Sequence, residues 1–206
     1  VNNSSVPDII VGRLPIYLRA LTEMAIEGKE ITSSQELAQR LGISSAQIRK
    51  DLSQFGEFGK QGTGYHVSFL TEQLRRILNL ERVWDMAVVG AGSLGTALAN
   101  YGGFIDRGFR VAAIYDNDPA KVGSRVGDLT VKDAARMEQD LKSAGIRVAI
   151  IAVPASAAQS VADALVRAGV EAILSFAPTS LSAPEHLQLR HSDPALYLQQ
   201  MSYYLD

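Results

Sequence analysis

Apolar residues keep one spacing up to about residue 80 of this chain and a different spacing beyond it, and no single fold accommodates both. In the first stretch they recur every three or four positions, as in Leu14, Leu18 and Leu21, then Leu37 and Leu41, then Ile48, Leu52 and Phe55. That is the period of helices buried along one stripe. From Trp84 onward the apolar runs are short and unbroken, at residues 86–89, 111–115, 148–153 and 172–176. Strands covered by helices on both faces have this character, so the second stretch is expected to form a doubly wound parallel sheet. The expected fold class is therefore α/β, with a helical N-terminal unit over residues 1–80 and a sheet unit over residues 81–192. A total of 206 residues leaves room for these two units and not for a third core.

The helical unit carries two helix-start signals in quick succession. Ser33-Ser34-Gln35-Glu36 has the Ser-x-x-Glu spacing at which two side chains satisfy backbone groups at a helix N-terminus. Gly42 supplies the permissive backbone that ends that helix. Ser44-Ser45-Ala46-Gln47 repeats the signal two residues later, which is helix-turn-helix spacing. On the second helix Ile48, Leu52 and Phe55 cluster toward the core, leaving Ala46, Arg49, Lys50 and Ser53 to solvent, flanked by Gln47 and Gln54. Asp51 is expected at the margin of that face as its single acid.

Small side chains mixed with phosphate and base-edge donors suit a helix that reads double-stranded DNA, with Ser45, Ala46, Gln47, Arg49, Lys50 and Ser53 as the contacts. A solvated polar face is the plain alternative. Residues 56–67 follow, with four glycines in twelve positions and a β-prone exit. They read as a hairpin wing whose Gly59 and Lys60 enter a minor groove, or as a flexible loop. The order of helix, turn, helix and glycine-rich hairpin makes a winged helix-turn-helix the leading expectation. Between Arg40 and Arg76 six bases face three acids, so a net charge of −2 for the chain conceals a basic segment.

In the second unit the run at 86–89 leads into Gly90-Ala91-Gly92-Ser93-Leu94-Gly95, and a helical stretch follows. A lone GxGxxG says little. This one leaves a predicted strand, opens a helix, and is followed by Asp116 at the end of the next strand, which is the context of a Rossmann-type dinucleotide site. Gly90 permits the tight turn, Gly92 admits a pyrophosphate against the backbone, and Gly95 lets helix and strand pack. Asp116 would hold the adenosine ribose hydroxyls. With Asn117 and Asp118 beside it rather than an arginine, NAD(H) is favoured over NADP(H). A degenerate fold that binds nothing is the alternative.

No residue pattern points to catalysis. The chain has no cysteine, and its three histidines, His66, His186 and His191, occupy the expected wing and the end of the chain. None stands in a loop above the sheet's carboxyl edge, where a proton-transfer group would be wanted. No metal-ligand spacing occurs, and the expected reading is coenzyme binding without turnover and without a metal. No apolar run reaches the ~20 residues of a bilayer crossing, and the first seven residues lack a signal-peptide pattern, so a cytoplasmic location with no membrane partner is expected.

These features together resemble one family, the bacterial redox-sensing transcriptional repressor Rex. The resemblance is carried by Arg13-Leu14-Pro15-Ile16-Tyr17-Leu18-Arg19, Gln47-Ile48-Arg49-Lys50-Asp51-Leu52-Ser53-Gln54-Phe55-Gly56, Gly62-Thr63-Gly64-Tyr65 and Val89-Gly90-Ala91-Gly92-Ser93-Leu94-Gly95. Residues 116–123, Val153-Pro154 and Phe176-Ala177-Pro178 also resemble its nucleotide-pocket segments, adding Lys121, Val153, Pro154, Phe176, Ala177 and Pro178 to the coenzyme candidates. The resemblance implies a homodimer that binds a palindromic operator and releases it when NADH binds, with NAD⁺ the weaker competitor. It also implies a C-terminal helix within residues 193–206 swapped onto the partner, for which residues 197–205 offer an amphipathic stretch. Tyr101 is implied to lie near the nicotinamide, and Arg19 and Asp193 to exchange polar contacts between two states. Pro194 departs from relatives that place an aromatic there. An apolar lining from Pro154 and Phe176 would penalise the charged ring of NAD⁺ by desolvation.

Overall fold

A computed structural model describes residues 6–59 and 63–205. The chain divides into two compact units, Val1–Arg82 and Val83–Asp206.

The first unit is built from α1 (Asp8–Val11), α2 (Leu14–Ile26), β1 (Ile31–Thr32), α3 (Ser34–Leu41), α4 (Ser45–Ser53), β2 (Tyr65–His66) and α5 (Val67–Ile77). Of the residues that periodicity marked, Leu14, Leu21, Leu37, Ile48 and Leu52 are buried in its core and Leu18, Leu41 and Phe55 pack partly buried against it, while Met24 of α2 and Leu70 and Leu74 of α5 complete it. Both serine caps form. Ser33 accepts from the Glu36 amide and Ser44 from the Gln47 amide, each at 3.1 Å. Gly42 ends α3 at φ +68°, a conformation that costs a Cβ-bearing residue energy. The reciprocal half of each cap is absent, because the Glu36 carboxylate accepts from Lys29 and Thr32 while the Gln47 amide turns to Asp51.

The wing differs from a simple hairpin. Its return limb, β2, pairs antiparallel with β1 in the register Ile31↔His66 and Thr32↔Tyr65, so residues 56–59 of the outgoing limb carry no strand. The strand before α3 already offers the backbone partners that β2 needs. Lys60, placed at the tip from sequence, and Gly62 lie outside the described residues.

The second unit is a seven-stranded sheet in the order β5-β6-β4-β3-β7-β8-β9, parallel except for the β5–β6 pair. The strands are β3 (Trp84–Val89), β4 (Phe109–Asp116), β5 (Arg125–Val126), β6 (Leu129–Asp133), β7 (Val148–Ile151), β8 (Ala172–Ser175) and β9 (Gln188–His191). Helices α7 (Met137–Ala144) and α8 (Ala155–Arg167) cover one face over Val89, Tyr115, Ala149 and Ile151. Helix α6 (Ser93–Ala99) and the 3₁₀ turn Gly102–Arg107 bring Leu98 and Phe104 against Met86, Val88, Ile114 and Ile150 on the other. Strands β6 and β9 were not marked by apolar runs. Each lies toward a sheet margin, and each has at most one fully buried residue, so neither needs a continuous apolar sequence.

The chain closes with α9 (Pro194–Ser202), capped by Asp193, whose carboxylate accepts from the Ala195 amide at 2.9 Å. Pro194 occupies the first turn, where a missing N–H costs nothing. Within the expected stretch Tyr197, Leu198 and Met201 fall within about 100° of one another on α9, Leu196 stands on another side of the helix, and none of the four is buried within the chain. No helix among the described residues is long and apolar enough to cross a membrane.

Candidate functional site

The strand order changes direction at β3. Strands β4 and β6 extend the sheet to one side of it, and β7 returns to its other side, so loops leaving the carboxyl ends of β3 and β7 diverge and leave a crevice. A cavity of about 850 Å³ opens there, lined by Gly90, Gly92, Ser93, Leu94, Asp116, Lys121, Val153 and Pro154 among others.

The three glycines of the turn answer to different demands. A Cβ on Gly95 would stand 1.7 Å from the Gly90 carbonyl oxygen, so α6 packs on the turn only without a side chain there. Gly90, at φ +104°, would press a Cβ 2.4 Å from the Ala152 carbonyl. Gly92 has ordinary extended dihedrals, and beyond its chain neighbours no heavy atom of the described residues comes within 4 Å of where its Cβ would stand. The protein's own packing thus explains glycine at 90 and 95. At 92 the open space faces the cavity, and this is the position where a ligand's diphosphate would need bare backbone.

Asp116, buried at the end of β4, accepts hydrogen bonds from the Ala91 amide at 2.7 Å, the Asp118 amide at 2.9 Å and Lys121 Nζ at 3.1 Å. Burial pushes its carboxyl up, but the two backbone donors and Lys121 outweigh that and hold it below the usual carboxylate range. The same carboxylate therefore pins the glycine turn to β4 and presents anionic charge at the cavity wall.

Other coenzyme candidates lie elsewhere. Ala91 meets Asp116 through its amide and leans toward the opposite face of the sheet, while Gly95 is sealed beneath the turn. Tyr101 is half-exposed, stacks edge-on against Phe104, and its hydroxyl accepts from Arg107 at 3.3 Å. Phe176 packs with the core of the face opposite α7 and α8, Ala177 is buried among the residues of the α7–α8 face, and Pro178 is exposed. None of the three lines the cavity. Sequence reading missed Ala134, Met137, Ser156 and Ser160, which the 3₁₀ turn Ala134–Arg136 and the N-terminal parts of α7 and α8 bring to the cavity wall. They come from crossover helices, and no motif marks such positions.

In the first unit, Ala46, Arg49, Lys50 and Ser53 lie exposed on one side of α4, with Ser45 and Gln47 half-buried at its edges. Arg49 donates to Ser34 Oγ at 2.9 Å and Ser53 Oγ donates to the Lys50 carbonyl at 2.8 Å. Gly59 lies so close to the return limb that a Cβ would come within 2.5 Å of the Gly64 carbonyl. Asp51 corrects the expectation made for it. It is fully buried rather than marginal, and Arg13, Tyr17 and Gln47 all donate to its carboxylate. Its removal from the surface leaves the exposed face of α4 wholly free of acidic groups. Arg19 is exposed beside Glu23 on α2, and Asp193 caps α9.

The fold and its two sites define a class: a helix-turn-helix unit with a cationic exposed helix, joined to a dinucleotide-type parallel sheet. Residues 5–53 match a family described as putative DNA-binding protein N-terminus, and residues 81–179 match the CoA binding domain family. The chain is 51% identical over 97% of its length to a redox-sensing transcriptional repressor Rex of Chloroflexus aurantiacus, covering 94% of that protein. It is 45% identical to the Rex of Streptomyces coelicolor over 97% of this chain and 77% of that one. A solved structure of RSP in complex with β-NAD⁺ and operator DNA superimposes with a TM-score of 0.93 at 37% identity, covering 98% of this chain and 94% of that one. RSP in complex with β-NADH gives 0.89 at 34% identity, with 98% and 95% covered. This chain belongs to the Rex family of redox-sensing transcriptional repressors.

Proposed function

We propose that the chain is a transcriptional repressor that senses the NADH/NAD⁺ ratio, gripping operator DNA through α4 and the wing and releasing it when NADH occupies the cavity at β3. The observation that carries the coenzyme half is Gly92, whose bare backbone faces the cavity with no contact among the described residues requiring it. The residues fit a dinucleotide: the Gly90 and Ala91 amides are committed to the Tyr115 carbonyl and to Asp116, which leaves the Gly92 and Ser93 amides for a diphosphate, and Asp116 accepts from a ribose hydroxyl. The coenzyme supplies no reaction in this reading, only a difference in charge and shape between its two oxidation states. Release requires that NADH favour the DNA-incompetent arrangement, and a coupling of ~1 to 3 kcal/mol is typical of such linkage. The experiment is an operator gel shift at fixed salt. NADH is expected to weaken binding by roughly 5- to 150-fold and NAD⁺ by much less. Steady consumption of NADH with added substrates would instead favour an oxidoreductase, and indifference to NADH a vestigial fold.

Asp116→Ala is expected to weaken NADH binding about 10-fold or more, the loss attending removal of charge-assisted hydrogen bonds. It also leaves Lys121 without its nearest anion beside the ribose site, so discrimination against NADPH should relax. Calorimetry with both coenzymes measures this, and unchanged affinities would remove Asp116 from the site.

The active form in this reading is a homodimer on a palindrome, working in the cytoplasm where DNA and the coenzyme pool meet. Helix α9 supports it. A helix with Leu196, Tyr197, Leu198 and Met201 each more than 60% exposed is unfavourable in water and calls for a partner surface. Removing residues 193–206 is expected to give a monomer by sedimentation and to abolish tight operator binding. A truncated chain that remains dimeric would remove α9 from the interface. Arg19, Asp193 and Tyr101 belong to the switch in this reading, with Arg19 and Asp193 exchanging their present partners when the dimer changes state.

A further inference from the structure

The acid at the back of α4 does more than fill the core. Asp51 is 0% exposed, and its carboxylate accepts from Arg13 Nε at 2.5 Å and Nη2 at 2.8 Å, the Tyr17 hydroxyl at 2.6 Å and Gln47 Nε2 at 2.7 Å. An ionised carboxylate only accepts, so the group Gln47 turns inward must be its amide nitrogen and not its oxygen. Arg13 and Tyr17, both on or beside α2, hold the carboxylate from behind and leave it no freedom to follow a rotating glutamine.

We propose that Gln47 is an adenine-reading residue of α4, held in its reading orientation by Asp51, a proposal that rests on α4 being a DNA-recognition helix. With one N–H committed to Asp51, Gln47 retains one N–H and the Oε1 acceptor. It stands in the first turn of α4, at the edge between the buried Asp51 and the exposed Lys50, where a recognition helix meets base edges. One donor beside one acceptor matches a single base in the major groove: adenine, with N7 accepting and N6 donating. Guanine shows two acceptors, one of which would face Oε1, and cytosine and thymine each offer one group only. Asp51 thereby acts as a positioning residue that forbids the flipped amide.

The test is selection of duplexes from a random-sequence library at fixed salt, with the wild-type chain and with Gln47→Ala. Wild type is expected to enrich a two-fold symmetric site, and Gln47→Ala to lose about 5- to 150-fold of discrimination at one A·T pair per half-site while keeping the rest. A second arm uses wild-type protein alone and so does not depend on the variant folding. Replacing the adenines of the enriched half-site one at a time with 7-deazaadenine, which lacks the N7 acceptor, is expected to weaken wild-type binding about 5-fold or more at one position. Identical preferences for the two proteins, a lost base other than adenine, or no cost of the analogue to wild type would overturn the assignment while leaving DNA recognition intact. A library from which wild type enriches nothing would overturn DNA recognition itself.

Discussion

Gly95→Ala is expected to unfold the sheet unit at moderate temperature, whereas Gly92→Val is expected to leave it folded and blind to NADH. The two positions lie three residues apart in one turn. A Cβ at 95 meets the Gly90 carbonyl oxygen at 1.7 Å, a backbone atom that cannot move without displacing a turn already tight against Ala152. Overpacking of a well-packed core costs typically about 1 to 3 kcal/mol, and a clash of backbone with so small a separation belongs at or above the upper end. At 92 the dihedrals suit any residue and the surroundings are open, so valine costs the fold little. It occupies instead the space over which a diphosphate must approach. Thermal unfolding with NADH calorimetry separates the effects. A Gly92→Val chain still released from DNA by NADH would place the coenzyme elsewhere, and a Gly95→Ala chain as stable as wild type would contradict the packing of α6.

Asp51→Ala is expected to destabilise the DNA-binding unit by about 3 kcal/mol, the lower end of the range for breaking a buried ion pair, since Arg13 keeps some access to solvent. The loss leaves the Tyr17 hydroxyl and the Arg13 guanidinium without their acceptor. Burial alone would push the Asp51 carboxyl up. The hydrogen bonds from Arg13, Tyr17 and Gln47 outweigh burial and hold it below its ordinary value.

A depressed folded value means that this stabilisation is present above the ordinary pKa of 3.8 and disappears as pH falls through the folded one. The opposite limit belongs to Tyr17, pushed up to about 12 by burial and by its bond to Asp51. Its contribution is whole below pH 10 and is lost as pH rises toward 12. Denaturant melts of wild type and Asp51→Ala should therefore differ most near neutrality and converge in acid. A difference independent of pH down to 2.5 would show that Asp51 is not held as an ion. Because Gln47 hangs on the same carboxylate, an acid-side loss of operator selectivity should accompany the loss of stability.

Most of the architecture is legible in the amino-acid sequence. The switch from helical spacing to unbroken apolar runs located two units, because helices bury one stripe and central parallel strands bury both faces. The serine caps and Gly42 marked α3 and α4, since backbone groups at helix ends need local partners that sequence displays. The GxGxxG turn and Asp116 were legible because a tight turn and a close backbone approach demand particular residues. Strands β6 and β9 were not, since a strand near a sheet margin buries too little to leave a pattern. Residues Ala134, Met137, Ser156 and Ser160 were not, since they reach the cavity only through helix packing.

Local chemistry, repeated at short range, is thus what the amino-acid order determined by itself: the helices, the glycine turn, and the cationic face of α4. Tertiary structure decided the rest, and Asp51 shows why. On a helical wheel it stands at the rim of the polar face and reads as a surface acid. In the folded chain Arg13 and Tyr17, more than thirty positions away in sequence, supply the donors that allow its charge to be buried. Phe176 makes the same point in reverse, since sequence assigned it with Pro154 to an apolar coenzyme lining but it packs with Met86, Val88 and Ile114 and does not line the cavity. Burial of a charge and the facing of a loop residue depend on partners distant along the chain, and only the fold brings those together.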